Sequence, residues 1–298
     1  MAGPPISGAR KRMLSLLVTV GAAYAALLAM VWLFEHRLVF HPDFPSRLEG
    51  DWQPAGLPVE DVWLKTGDGT KLHAWWIPAV NADCAVIYFH GNASNLANRA
   101  DIFRFLHELG VSVLGMEYRG YGKSEGTPSE ESFYRDAESA HDYLTKERGI
   151  PAERIVSYGA SLGTAVAADL ATRRRVAGVI LEAPFASARA VARHIFPFLP
   201  GAGRLLRSRF DVSEKLLAAR VPLLLLHCEK DPVIPFALGE EVFAAAPEPK
   251  SFLRLRGRCH EGAPLEAPGE VRERVQQFLR RAVPRNETTP GGRSATAK

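Results

Sequence analysis

The chain has 298 residues, 47% of them hydrophobic, enough for one large buried core plus an appendage, which excludes a disordered or fibrous protein. Its net charge of +4 is mild and its basic residues are scattered among acidic ones, so nucleic acid is not an expected partner. No Cys-x-x-Cys pair, zinc-ligand spacing or glycine-rich phosphate loop occurs, and nothing calls for a metal or a cofactor.

From Met13 to Phe34 there is no charged residue, and about 20 apolar residues suffice for a helix to cross a bilayer core. Residues 13–34 are therefore read as a transmembrane anchor. Arg10, Lys11 and Arg12 precede it and only Arg37 follows closely, so the positive-inside rule places residues 1–12 in the cytoplasm and the bulk of the chain on the periplasmic or lumenal side. A cleaved signal peptide is the competing reading, because Gly21, Ala22, Ala23, Ala25 and Ala26 offer small residues to a peptidase. The apolar run is longer than the roughly 7–15 residues of a signal core, which favours the uncleaved anchor.

Residues 35–58, rich in Pro and turn formers, read as an extended linker, and 59–284 as the folded domain. Val59 to Lys65 and Lys71 to Ile77, parted by Gly67-Asp68-Gly69, predict an antiparallel hairpin. Cys84 to Phe89, Val111 to Met116, Arg154 to Tyr158, Val176 to Leu181 and Val221 to Leu226 are apolar runs without strict alternation, the pattern of strands covered on both faces. Helical stretches lie between them at Asn95 to Leu109, Glu131 to Arg148, Leu162 to Arg173 and Phe236 to Ala245; a strand Ser251 to Leu255 and a helix Glu270 to Arg281 follow. Alternation of this kind predicts an α/β fold with a mostly parallel central sheet and helices on both faces. One connection, 186–220, is longer than a single helix needs and carries Phe196, Pro197, Phe198, Leu199 and Pro200. It reads as a small helical cap over the sheet's active edge, or as a surface helix with a long approach. Residues 285–298 are polar and read as a disordered tail.

Three cysteines exclude a disulfide-stapled scaffold. Cys84 opens a strand and reads as a core residue. Cys228 and Cys259 each lie close to a candidate catalytic residue; in an exported domain they are expected to form a disulfide, and two reduced cysteines filling small gaps is the alternative.

Gly159-Ala160-Ser161-Leu162-Gly163 fits G-x-S-x-G between an apolar strand and an alanine-rich helix, the setting in which a sharp turn presents a nucleophilic serine. A serine hydroxyl needs a base, and the base an anion to hold its tautomer. Asp231 follows the strand that begins at Val221, and His260 follows the last strand, so both lie beyond carboxyl ends of strands, where ligands bind in open α/β sheets. Ser161, Asp231 and His260 are thus the candidate triad. Glu229 is a weaker candidate for the acid, and His227, inside the strand, reads as a satisfied core histidine. His36, His41, His73, His107, His141 and His194 occupy no triad position. The oxyanion hole is expected from the backbone amides of Leu162 and Asn92, the latter in His90-Gly91-Asn92-Ala93, with the His90 ring bracing that loop.

Phe89 to Ala93, Glu117-Tyr118-Arg119-Gly120-Tyr121-Gly122-Lys123-Ser124-Glu125-Gly126, Gly159 to Gly163, Asp231-Pro232-Val233-Ile234-Pro235 and His260 occur in the order of one branch of the α/β hydrolases. Over about residues 35 to 283 the chain resembles the Bem-type (bud-emergence-homologue) branch, whose members include membrane-anchored lysophospholipases and protein depalmitoylases. The run from Tyr118 to Gly126 is the most specific part of the match. Glu117 stands where the branch usually has Asp, Cys228 where Gly is common, and Glu261-Gly262 where Asn-Asp is usual. The resemblance implies an α/β-hydrolase fold and a lipase-like serine esterase or thioesterase that works through an acyl-enzyme on Ser161 without a cofactor. An anchor and a hydrophobic cap point to an acyl ester or thioester presented from the membrane, with Arg189, Arg193, Arg204, Arg207 and Arg209 available to anionic head groups or forming a solvated basic face. An acyltransferase or peptidase using the same triad is one rival. A catalytically idle membrane-anchored binding protein is the other.

Overall fold

The structure, a computed structural model, describes residues 8–284. Most of the N-terminal segment expected to be cytoplasmic and the whole of the expected tail, 285–298, lie outside the described residues.

The first helix, α1 (Gly8–Val39), is 32 residues long. At 1.5 Å per residue that is about 48 Å, against about 30 Å for a bilayer core. It is long and apolar enough to span a membrane. It also runs five residues past the expected boundary at Phe34, because Phe40 just beyond its end is buried against Phe133 and Phe210 and pins the helix to the domain. The stretch read as an extended linker is hydrogen-bonded to the domain: Arg47 Nε donates to the Gly122 carbonyl at 2.7 Å, and Asn95 Nδ2 donates to the carbonyls of Arg47 and Glu49. Backbone polar groups in that stretch find protein partners, which an unattached linker does not offer.

Eight strands form one sheet in the order β1-β2-β4-β3-β5-β6-β7-β8. They are β1 (Glu60–Lys65), β2 (Lys71–Ile77), β3 (Ala85–Phe89), β4 (Ser112–Met116), β5 (Ile155–Ala160), β6 (Gly178–Glu182), β7 (Leu223–Cys228) and β8 (Lys250–Leu255). The β1–β2 hairpin is antiparallel, β2 joins β4 antiparallel, and every pair from β4 through β8 is parallel. Each central strand sends alternate side chains to opposite faces. In β3, Ala85, Ile87 and Phe89 join a core shared with Phe133, Val166, Leu216 and Val242; Val86 and Tyr88 join a second core with Phe103, Val271 and Val275. The first face is therefore covered by α3 (Glu130–Asp142), α4 (Gly163–Arg173), α7 (Val212–Ala219) and α8 (Phe236–Ala245). The second is covered by α2 (Ala100–Glu108) and α10 (Pro268–Ala282). This is an α/β-hydrolase fold preceded by one apolar helix.

The connection after β6 holds α5 (Ala188–Ile195), α6 (Ala202–Leu205) and α7. Ser187 caps α5 by accepting the Ala190 amide at 3.2 Å. Val212 and Leu216, four residues apart, bury α7 against α4 in the helix layer that covers the first face of the sheet. Only the part before α7 stands over the carboxyl edge of the sheet.

Candidate active site

Ser161 sits in the turn between β5 and α4 with φ of 50°, a left-handed conformation that costs a non-glycine residue roughly 1–2 kcal/mol. The turn is tight enough that a Cβ on Gly159 would strike the Gly163 carbonyl, and one on Gly163 would strike the Phe89 carbonyl of β3. Both motif glycines are thus required by close backbone approach. The Ser161 amide donates to the Glu182 carbonyl at 2.9 Å, which docks the turn on β6.

Three chain segments converge here. His260 Nε2 is 2.8 Å from Ser161 Oγ, and His260 Nδ1 is 2.9 Å and 3.1 Å from the two Asp231 oxygens. An imidazole nitrogen facing a carboxylate carries the proton, which leaves Nε2 free to accept the serine hydroxyl. Burial alone would push the His260 pKa down; the hydrogen bond and charge of Asp231, with the charges of Glu261 and Glu182, override this and raise it above its ordinary value of 6.5. Burial also opposes ionisation of Asp231, yet hydrogen bonds from His227, His260 and the Val233 amide hold its carboxyl well below the usual range. Glu229, the weaker candidate for the acid, is exposed at the end of β7.

His227 is buried, but it is more than a core histidine. Its Nε2 lies 3.0 Å from the Ile234 carbonyl and 3.2 Å from Asp231 Oδ2, so it donates between two acceptors and orients the carboxylate. Its spacing of four from Asp231 was the only sequence signal of this. Glu182, at the end of β6, was missed altogether. Its Oε1 accepts the Gly262 and Ala263 amides, both at 2.6 Å, and its Oε2 accepts the Tyr158 hydroxyl at 2.7 Å, which fixes the loop after His260. Cys228 and Cys259 form a disulfide, so β7 is bonded to the residue preceding His260.

The Leu162 amide lies at the start of α4, and Asn92 lies beside Ser161 at the same cavity. Among the described residues neither backbone amide donates to another protein atom. The Asn92 loop is clamped from two sides. Its carbonyl accepts the His41 amide at 3.0 Å and the Tyr121 hydroxyl at 2.9 Å, and Asn92 Nδ2 donates to the Val39 carbonyl at 3.1 Å. Tyr118 adds a hydrogen bond to the His90 carbonyl at 2.9 Å, and the fully buried His90 ring lies against Tyr118. The Tyr118 to Gly126 run therefore braces the loop. Arg99 pairs with Glu261, tying the His260 loop to the helix entrance that follows Asn92.

A cavity of about 590 Å³ opens onto Ser161. Besides Asn92 and Ser161 its lining is apolar, supplied by α5, the cap loop, Val233, Ile234 and one stripe of α1. Among the described residues no group of three or more His, Cys, Asp or Glu side chains could hold a metal ion.

Residues 81–210 match the family model described as serine aminopeptidase, S33. A protein of Mycobacterium tuberculosis, MT2364, is 33% identical over 273 residues, covering 91% of this chain and 96% of its own. The α/β hydrolase domain-containing protein WAV2 of Arabidopsis thaliana is 32% identical over 298 aligned residues, covering 92% and 96%. Among solved structures, the Pyrococcus furiosus esterase PF2001 superposes with a TM-score of 0.67 at 22% identity, covering 83% of this chain and 98% of that one, a likeness of fold.

Proposed function

The chain belongs to the α/β-hydrolase family, and from that membership we propose that it is a membrane-anchored serine hydrolase of acyl esters or thioesters. The observation that carries this is the unbroken hydrogen-bonded series Ser161, His260, Asp231 at the base of an apolar cavity. His260 Nε2 takes the Ser161 proton as Oγ attacks the substrate carbonyl carbon, and the Leu162 and Asn92 amides receive the developing oxyanion. The imidazolium then protonates the departing alcohol or thiol, leaving the acyl group on Ser161. Water, deprotonated by the same imidazole, releases the acid.

The cavity's composition favours an acyl chain over a peptide. An aminopeptidase must hold a substrate ammonium, and none of the side chains lining this cavity is charged. The Tyr118 to Gly126 run supports placement in the Bem-type branch. The charge asymmetry around α1 and the Cys228–Cys259 disulfide both support a catalytic domain on the periplasmic or lumenal side, where thiols are oxidised.

Labelling of the full-length protein with a fluorophosphonate, alongside hydrolysis of esters and thioesters from acetyl to palmitoyl, tests the reading. Wild type is expected to label and to hydrolyse long acyl substrates, and Ser161→Ala to do neither. A folded wild type that stays unlabelled points instead to a binding protein, and a strict preference for acetyl counts against a lipid substrate.

A further inference from the structure

In the membrane-anchored reading α1 does more than hold the domain at a surface. Leu27, Met30, Val31, Phe34 and Leu38 of α1 recur at three- and four-residue spacing, so they form one stripe, and that stripe faces the cavity that opens onto Ser161. Two sets of polar contacts hold the cap alongside it. Near the middle of α1 the Tyr24 hydroxyl donates to the Pro200 carbonyl. Near its end the buried Glu35 carboxylate accepts the Arg207 amide at 2.8 Å and the Ser208 amide at 2.7 Å, while Arg207 also reaches the Trp32 carbonyl at 2.7 Å. The two sets lie eleven residues apart, about 16 Å along the helix. Ile195, Phe196 and Phe198 of the cap line the same cavity, Phe198 with 72% of its area exposed.

We propose that α1 is the specificity wall of the substrate site: the acyl chain of a long-chain ester lies in the groove between α1 and the cap, entering from the bilayer leaflet. This rests on the serine hydrolase reading given above. Val39 is bonded to Asn92 beside the nucleophile, and Leu27 lies twelve residues back, so the groove runs about 18 Å from the reacting carbon. Half of an approximately 30 Å bilayer core, the depth of one leaflet's acyl chain, is nearly the same length. Residues 27–34 fall within the stretch long and apolar enough to span a membrane, and in the membrane-anchored reading the groove and the exposed cap phenylalanines sit at lipid depth. A chain moving from leaflet to groove leaves one apolar medium for another and never has to meet water.

The test uses the full-length protein in phosphatidylcholine vesicles, comparing wild type with Leu27→Trp and Met30→Trp, and with Leu17→Trp, exposed on α1 outside the groove, as control. The ratio of kcat/KM for palmitoyl over butyryl p-nitrophenyl ester is expected to fall about tenfold or more in the two groove variants and to stay at the wild-type value in the control. In parallel, the same proteins carrying Ser161→Ala are titrated with a fluorescent polyene fatty acid, whose saturable binding is expected to weaken in the groove variants alone. An unchanged ester ratio with unchanged fatty-acid affinity overturns the groove while leaving the hydrolase reading intact. Fatty-acid binding lost in the groove variants of a protein that neither hydrolyses any ester nor takes a fluorophosphonate upholds the groove and removes the hydrolase.

Discussion

Glu182 Oε1 accepts the backbone amide of Ala263 at 2.6 Å across 81 positions of sequence, so the loop that carries His260 hangs from the end of β6. The same carboxylate takes the Gly262 amide and, through its other oxygen, the Tyr158 hydroxyl. Glu182→Ala strands all three donors in a buried site, at about 1–3 kcal/mol for each one left unpaired. It is expected to lower the unfolding temperature and cut kcat more than it raises KM, because His260 loses its fixed approach to Ser161. Glu182→Gln keeps an acceptor for the two amides and is expected to restore most of both. Equal losses in Ala and Gln variants, by thermal unfolding and steady-state kinetics, would assign the effect to charge instead of loop position.

The charges around His260 set the acid limb of the pH profile. Base catalysis needs the neutral imidazole, and since the negative groups that face it, Asp231, Glu261 and Glu182, outweigh burial, half-maximal kcat/KM is expected above pH 6.5. The folded pKa is raised, so the stability that the protonated imidazole adds is complete below the unfolded value and is lost as pH rises through the folded one. Removing one of the charges, as in Glu261→Gln, is expected to move the acid limb to lower pH. A limb that stays in place or moves upward in that variant would show that Glu261 does not act on His260 through its charge.

The sheet was readable because buried parallel strands advertise themselves as short apolar runs between turn formers. β2 and α8 match their expected limits, and the other strands differ by one or two residues at most of their ends. Segments that meet only through tertiary contact were not readable. The expected helix Glu131 to Arg148 is α3 followed by one wider turn in which the Arg148 amide reaches the Tyr143 carbonyl at 3.1 Å. At the site, the order Ser161, Asp231, His260 followed from which strands end where. The partners that orient them, Glu182, His227 and the Arg99–Glu261 pair, come from positions that no local pattern marks. Least legible was α1: the apolarity that, with its length, is enough to span a membrane conceals the stripe that faces the cavity.

The Cys228–Cys259 bond spans a sequence separation of 31 residues and joins β7 to the His260 loop. In the loop-entropy account a closure of that size adds about 3–4 kcal/mol. Reductant, or the double variant Cys228→Ser with Cys259→Ser, is therefore expected to lower the unfolding temperature and to reduce activity together. Burial pushes the Cys84 thiol up to about 12, so it stays unreactive in the folded protein. After denaturation without reductant one thiol per chain is expected to titrate, and all three after reduction. Three free thiols in protein purified without reductant would instead place the two cysteines as reduced gap fillers.

Glu35 closes the contact between α1 and the cap. It is 2% exposed, and its oxygens take the Arg207 and Ser208 amides and the Arg207 guanidinium. Glu35→Ala leaves two backbone donors without an acceptor, at about 1–3 kcal/mol each where they stay dry. The cap segment can escape that cost by opening to water, since α5 meets the two main cores only through Ala188, Ala190 and Val191 and α6 does not join them. The expected result is faster hydrogen exchange and tryptic cleavage around Arg207 and Arg209, with the unfolding temperature of the sheet little changed. Glu35→Gln, which keeps one acceptor oxygen, is expected to fall between the two. Protection at Ser208 as strong in the alanine variant as in wild type would mean that apolar packing of Phe210 and Leu199, rather than this carboxylate, holds the cap against the helix.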